Sequence, residues 1–102
     1  MLKYVYKDFS EDIMRLKSGF VLEKVGGSYL AVAIGERAEE FKALIKLNST
    51  GAFLWKIISE KDVTVGDLVA ELVTYYEVEP NIAERDVKAF IKVLLDGGLL
   101  DD

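Results

Sequence analysis

The stretch from Phe41 to Trp55, FKALIKLNSTGAFLW, decides the fold, because a strand pattern in it turns directly into a helix pattern. In FKALIKL, lysines at 42 and 46 alternate with apolar residues, as in a half-buried strand whose side chains repeat with period two. Asn48 stands where a helix N-cap belongs, and the mostly apolar sequence after it predicts a helix over roughly 49–60. A regular cationic strand so close to this helix is expected at the edge of a small sheet.

Upstream of this stretch, the sequence predicts a tight β-hairpin. FVLEKV (20–25) and SYLAVAI (28–34) flank Gly26-Gly27, a pair that tolerates the positive φ angles of a two-residue turn. SYLAVAI shows little polar alternation, which indicates a central strand covered on both faces or nearly so. Residues 35–40 are expected to form a charged loop, after which 41–47 returns as the third strand of an antiparallel meander with its first and third strands at the edges.

Downstream, the sequence predicts two further helices. Thr64 and Asp67 have the spacing of a capping box at the start of the second helix, and Pro80 either closes the linker or takes a first helical position. Gly97-Gly98 is expected to end the third helix, after which Leu99 and Leu100 return to the core. The third helix carries one apolar stripe, made of Ala83, Val87, Phe90, Ile91, Leu94 and Leu95.

A run of strands followed by a run of helices predicts an α+β domain, with a three-stranded antiparallel meander followed by a three-helix bundle. Residues 18–102 are predicted to form this single domain. Residues 1–17 are treated as an N-terminal arm of uncertain structure, because Ser10 could cap a short turn while Tyr4 and Tyr6 could equally belong to a strand.

The composition of the 102 residues excludes several classes of function. Cysteine and histidine are absent, which rules out disulfides, thiolate zinc sites and histidine-based triads, so we expect no catalytic residue, metal site or cofactor. The net charge of −5 argues against a broad nucleic-acid surface. No run approaches the roughly 18 apolar residues of a membrane span, and no signal peptide is recognisable, so a soluble cytoplasmic protein is expected.

Three motifs in order carry a resemblance to a known family. LNSTGAFLW (47–55), TVGDLVAELVTYYEV (64–78) and AERDVKAFIKVLLDGGLL (83–100) resemble the PqqD family, named for a role in making the coenzyme pyrroloquinoline quinone. The resemblance implies a fold similar to a winged helix. It also implies a non-catalytic recognition element that holds the leader of a ribosomally made precursor peptide and presents it to a modifying enzyme, often a radical SAM protein.

The resemblance further implies where a leader peptide binds. In that family the leader adds as a strand beside the third strand and lies against the third helix, a mode in which main-chain pairing supplies affinity and side chains supply selectivity. The candidate peptide-binding residues on the strand are Phe41, Lys42, Ala43, Leu44, Ile45, Lys46 and Leu47. Those on the helix are Arg85, Lys88, Ala89 and Lys92, which share one face.

Other interpretations of the same residues stay open. Lysines on an edge strand also prevent accidental sheet pairing, and a helix face of mixed charge is usually only solvated. A DNA-binding winged helix is the rival class, although the third helix has no net positive charge because Glu84, Asp86 and Asp96 balance Arg85, Lys88 and Lys92. A structural subunit of a larger enzyme would show the same surfaces but bind no free peptide.

Overall fold

A computed structural model describes residues 12–40 and 45–101 of the chain. Two small antiparallel sheets and a layer of helices make up this part of the molecule. Its elements are β1 (Arg15–Leu16), β2 (Phe20–Val25), β3 (Ser28–Ala33), α1 (Arg37–Glu40), β4 (Ile45–Leu47), α2 (Ser49–Glu60), α3 (Val65–Tyr76), α4 (Pro80–Gly97) and β5 (Leu100–Asp101).

The larger sheet is the predicted antiparallel meander, with strand order β2-β3-β4. Val25 and Ser28 pair across the Gly26-Gly27 turn, and Gly26 has a φ of +63°, which glycine adopts without strain. The prediction that the second strand of the meander is central is therefore confirmed. The first four residues of the predicted third strand, 41–44, lie outside the described residues; the described part of that strand is β4.

Side-chain caps begin the first two long helices where the sequence predicts them. The Oδ1 atom of Asn48 accepts a hydrogen bond of 2.8 Å from the main-chain N–H of Gly51 at the start of α2. At the start of α3, Thr64 and Asp67 form the reciprocal capping box, with bonds of 3.0 Å and 2.9 Å. Each cap satisfies N–H groups that the first turn of a helix leaves without a partner inside the helix.

A proline and a glycine mark the two ends of the longest helix, α4. Pro80 occupies its first position, where the missing N–H costs nothing. Gly98 follows it with a φ of +74°, and its N–H donates to the carbonyl oxygens of Leu94 and Leu95. The chain then turns so that Leu99 is buried, as predicted, at 1% exposure.

One hydrophobic core joins the inner face of the meander to the helices. Leu54, Leu68 and Leu94 have no exposed side-chain surface, and these three leucines come from α2, α3 and α4 respectively. Trp55 is buried as well, with its ring edge-on to Phe20 of β2 at a centroid distance of 6.3 Å. The predicted α+β class and the order of strands and helices are thus confirmed, while the likeness to a winged helix stays a prediction.

Residues 12–17, part of the N-terminal arm whose structure the sequence left uncertain, join the domain through main-chain pairing. β1 pairs with β5, so that Arg15 lies opposite Asp101. Met14 forms an isolated antiparallel bridge with Val63 and is buried. Main-chain pairing therefore ties this segment to β5 and to the turn between α2 and α3.

Two local predictions are wrong. The expected loop at 35–40 contains the one-turn helix α1, whose first residue, Arg37, donates from Nε to the carbonyl of Ser18 at 2.9 Å. Leu95, predicted on the buried stripe of α4, is 53% exposed. It lies about 100° around the helix axis from Leu94, which carries it past the border of the core.

Candidate functional site

An apolar groove of about 260 Å³ lies between the end of β4 and the outer side of α4. Leu47 and Asn48 border it on the strand side, and the first turn of α2 closes one part of it. Ala89 and Val93 border it on the side of α4. The groove is open to solvent, and its walls combine apolar side chains with polar groups of Asn48, Thr50 and Asp86, a mixture that suits the side chains of an extended peptide.

The close approach of α2 to β4 depends on glycine. A Cβ atom at Gly51 would lie 3.3 Å from the Cβ of Leu47 and 3.3 Å from the Oδ1 of Asn48. Because glycine has no such atom, its N–H reaches the Asn48 cap while the first turn of α2 packs against the strand end. The motif Asn48 to Gly51, which could suggest a nucleophile on sequence alone, is thus explained by helix capping.

The direction of the main-chain groups in the sheet follows from the β2-β3 hairpin. A two-residue turn makes Val25 and Ser28 a hydrogen-bonded pair, and hydrogen-bonded pairs then alternate along the ladder. The bond of 2.8 Å from the N–H of Ile34 to the carbonyl of Gly19 belongs to the same series of hydrogen-bonded pairs, because Gly19 and Ile34 are six residues further from the turn on each strand. Even-numbered residues of β3 therefore bond to β2, and its odd-numbered residues direct their N–H and C=O groups toward β4.

The outer edge of β4 consequently presents the main chain of Lys46. Tyr29 and Ala31 of β3 lie opposite Leu47 and Ile45, so these two β4 residues use their N–H and C=O groups inside the sheet. Lys46, between them, points its N–H and C=O away from β3. No strand among the described residues pairs with this edge.

The surface of α4 that borders the groove is offset from the one predicted. Asp86, Ala89, Phe90 and Val93 border the groove, with the i, i+3, i+4, i+7 spacing of one helix face. Of the helix residues predicted to contact peptide, only Ala89 belongs to this set. Asp86 and Val93 were not predicted. The predicted residues at 85, 88, 89 and 92, each shifted by one position toward the C-terminus, give the four residues that border the groove.

The cations of α4 are paired with acids of the same helix. The exposed Arg85, Lys88 and Lys92 do not border the groove, and each forms an ion pair with a near neighbour in sequence. The pairs are Arg85 Nε to Asp86 Oδ1 at 3.5 Å, Lys88 Nζ to Glu84 Oε2 at 3.2 Å and Lys92 Nζ to Asp96 Oδ2 at 3.0 Å. This side of the helix is therefore close to neutral.

The structure thus brings together four of the predicted site residues, namely Ile45, Lys46, Leu47 and Ala89. Three of them border the groove, and Ile45 is the neighbour of Lys46 in β4. The predicted residues at 41–44 lie outside the described part of the chain.

Two further concavities among the described residues differ in character from the groove. One, of about 830 Å³, lies beside α1 and is lined mainly by polar residues such as Glu36 and Arg37. The other, of about 630 Å³, lies between α3 and the start of α4, near Val69 and Val73. Neither is bordered by the free strand edge, so neither combines main-chain and side-chain recognition.

Within residues 12–40 and 45–101, no three acidic side chains come close enough together to hold a metal ion. Within the same ranges, no helix has the length and apolar character needed to cross a bilayer. What the groove offers is the main-chain edge at Lys46, a wall that is partly apolar, and the carboxylate of Asp86.

Comparison with known proteins gives a family and a shared fold. The sequence model described as coenzyme PQQ synthesis protein D (PqqD) matches residues 32–100, which include all three motifs quoted above. No curated protein matches the chain.

Two solved structures are similar to this chain. One is TbiB1 in complex with the TbiA(beta) leader peptide, with 18% identity, a TM-score of 0.64, and coverage of 85% of this chain and 94% of that one. The other is a lasso peptide synthetase B1 complexed with its leader peptide, with 22% identity, a TM-score of 0.64, and coverage of 87% and 98%. At these identities the similarity establishes a common fold.

Proposed function

The chain belongs to the PqqD family, and from this we propose that it binds the leader segment of a ribosomally made precursor peptide. The observation that carries the proposal is the free edge of β4 beside the apolar groove of α4. The two structural relatives, both described as complexes with leader peptides, support the same role.

Binding occurs by addition of the leader as a fourth strand next to β4. The N–H and C=O of Lys46 pair with the leader main chain, which gives affinity without demanding a particular sequence. Side chains of the leader then enter the groove and cover Ala89 and Val93, whose side chains otherwise face water. Contacts from Phe41–Leu44, Arg85, Lys88 and Lys92 to the leader stay a prediction.

We assign the chemistry of the pathway to a separate modifying enzyme. The chain has no histidine or cysteine, so it lacks the usual general base and thiol nucleophile. Its role is to hold the leader so that the remainder of the precursor reaches that enzyme, for which a radical SAM protein is our first choice. The product of the pathway is a peptide-derived cofactor or a peptide natural product.

The main-chain geometry gives a direct test with two proline variants. Lys46→Pro removes the outward N–H, which a solvent-facing edge tolerates, so the domain should fold but lose leader binding. Ile45→Pro removes an N–H that bonds to Ala31 and should damage the sheet itself. The ligands are synthetic peptides tiled across the short reading frames next to this gene, titrated while amide chemical shifts are recorded.

The expected result is that one tiled peptide shifts the amides of β4 and of residues 86–93 together, and that Lys46→Pro abolishes these shifts. Thermal unfolding of Lys46→Pro shows whether the fold is retained. Shifts confined to the concavity beside α1 would place the site elsewhere, and binding that survives Lys46→Pro unchanged would exclude strand addition at β4.

A DNA-binding role has no comparable support. The helix that would enter the major groove, α4, carries cations that are each paired with a neighbouring acid. α3 contains Asp67 and Glu71 but no lysine or arginine. Phosphate groups would therefore meet a neutral or acidic surface on both helices.

A further inference from the structure

We propose that this groove selects leader segments in which an acidic residue lies between two apolar residues, and that Lys46 is the side chain that reads the acidic one. The inference rests on the proposed function, because it assumes that the leader pairs with β4. It goes further by stating which side-chain chemistry the strand edge and the groove accept at three consecutive positions.

The first step is the orientation of the side chains on β4. Ile45 lies opposite Ala31, which is 2% exposed and faces the core, and cross-strand partners share a face of the sheet. Leu47, two residues on, is buried on the same face. Lys46 therefore projects from the opposite, outer face of the sheet, where it is exposed.

The second step applies the same alternation to an added strand. A leader residue directly opposite Lys46 has its side chain on the outer face, within reach of the Lys46 ammonium group. The residues before and after it face the other way, toward Ala89, Phe90 and Val93. This assignment holds for parallel and antiparallel addition alike, because laterally adjacent residues share a face in both.

The third step concerns charge. Lys46 forms no ion pair with any described residue, in contrast to the three cations of α4. Its neighbour across β3 on the outer face is the apolar Leu30, and beyond it Glu23 of β2 lies two strands away, about 10 Å. A carboxylate on the leader would give Lys46 the adjacent partner that the sheet does not provide.

The fourth step concerns the two groove-facing positions. Ala89 and Val93 offer them carbon surface, and Val93 is 43% exposed without a peptide. Asp86 borders the same groove and is only loosely paired with the exposed Arg85, at 3.5 Å, so a carboxylate placed there would meet a like charge. The groove therefore accepts apolar residues and rejects acidic ones at the positions where Lys46 cannot reach.

Three acetylated and amidated heptapeptides test this rule: STVEVTS, STVKVTS and STSESTS. Each is titrated into isotope-labelled protein while the amide signals of Lys46, Ala89 and Val93 are followed. We expect STVEVTS to bind about five-fold more tightly than STVKVTS, since a cross-strand charge pair is worth up to about 1 kcal/mol. We expect STSESTS to bind about ten-fold more weakly, because it loses two apolar side chains from the groove.

A pair of charge reversals isolates Lys46. Lys46→Glu should reverse the preference between STVEVTS and STVKVTS, whereas Lys56→Glu, the same change at an exposed site of α2 away from the groove, should preserve it. The preference for the acidic peptide is informative because the net charge of −5 would by itself favour the basic one.

Two results would overturn the inference. One is equal affinity for STVEVTS and STVKVTS with shifts in β4 and α4, which would leave the proposed function standing. The other is a failure of all three heptapeptides to shift β4 while a tiled precursor peptide does so. If neither the heptapeptides nor the tiled peptides shift β4, the proposed function itself fails.

Discussion

Arg15 holds the carboxylate of Asp62 with two hydrogen bonds, from Nε to Oδ1 at 3.1 Å and from Nη2 to Oδ2 at 2.7 Å. The two residues are 47 positions apart, and the pair joins β1 to the turn between α2 and α3. It lies next to the Met14–Val63 bridge, so side chains and main chain together fix the N-terminal strand against the helices.

This ion pair predicts a pH-dependent stability difference. The hydrogen bond from Arg15, and secondarily its charge, lower the pKa of Asp62 below the ordinary carboxyl value. A carboxyl whose pKa falls on folding stabilises the fold above its unfolded pKa and ceases to do so as the pH falls through its folded pKa. Arg15→Gln should therefore lower the urea midpoint slightly near pH 7, and the difference should shrink below about pH 4.

The effect should be small and sensitive to salt, since both side chains are largely exposed. Lys61→Gln, which removes a neighbouring exposed cation, is the matched control and should show no such convergence at low pH. A difference between Arg15→Gln and the unmodified protein that persisted undiminished at pH 2.5 would assign the effect to packing and not to the charge of Asp62.

Adjacent leucines on α4 give a prediction for the core. Leu94 has no exposed surface, so Leu94→Ala should lower the free energy of unfolding by about 2–5 kcal/mol. Leu95 is 53% exposed, and Leu95→Ala should change the free energy by less than about 0.5 kcal/mol. Urea denaturation of both variants measures the contrast; equal effects would contradict the orientation of the helix.

The capping box of α3 predicts that Thr64→Ala lowers the free energy of unfolding, whereas Thr64→Ser largely preserves it. Thr64→Ala removes the acceptor for the N–H of Asp67 and should cost about 1 kcal/mol in the free energy of unfolding. Thr64→Ser keeps a hydroxyl acceptor and should recover most of this stability. Thermal unfolding followed by circular dichroism suffices, and an alanine variant as stable as the serine variant would show that the cap contributes little.

The charge distribution predicts that duplex DNA is not a ligand. Fluorescence anisotropy with a labelled duplex at moderate salt should show only weak, non-specific association. A paired titration with Glu84→Lys and Asp96→Lys, which free Lys88 and Lys92, should show stronger and salt-sensitive binding. Sub-micromolar binding by the unmodified protein would favour the rival winged-helix function.

Sequence patterns predicted most of the fold because the decisive signals are local. The Gly26-Gly27 turn, the caps at Asn48 and Thr64, and the glycine after α4 each act within a few residues, and all of them stand where expected. The order of strands and helices then follows from periodicity. In contrast, the pairing of β1 with β5 joins two-residue strands at positions 15 and 101, which are too short to show any period.

The candidate site was harder to predict because it depends on rotation about a helix axis. The predicted residues Arg85, Lys88, Ala89 and Lys92 form the face of α4 that flanks the apolar stripe, whereas the groove lies beside Asp86 and Val93, one position further around the helix. Whether Ile45 or Lys46 offers its N–H outward could not be read from the strand alone either. The answer depends on which residues of β3 bond to β2, and the two-residue turn between β2 and β3 determines that alternation.

The pairing of β1 with β5 also makes the domain suitable for insertion into another protein. Arg15 and Asp101 are cross-strand partners, so their Cα atoms are about 5 Å apart, and chain entering at one residue leaves beside the other. Such a unit can be spliced into a surface loop of a host protein while the host residues on either side remain neighbours. Residues 14–101, which include the buried Met14, could in this way be inserted into an unrelated peptide-modifying enzyme, to redirect it toward substrates that carry the leader this domain binds.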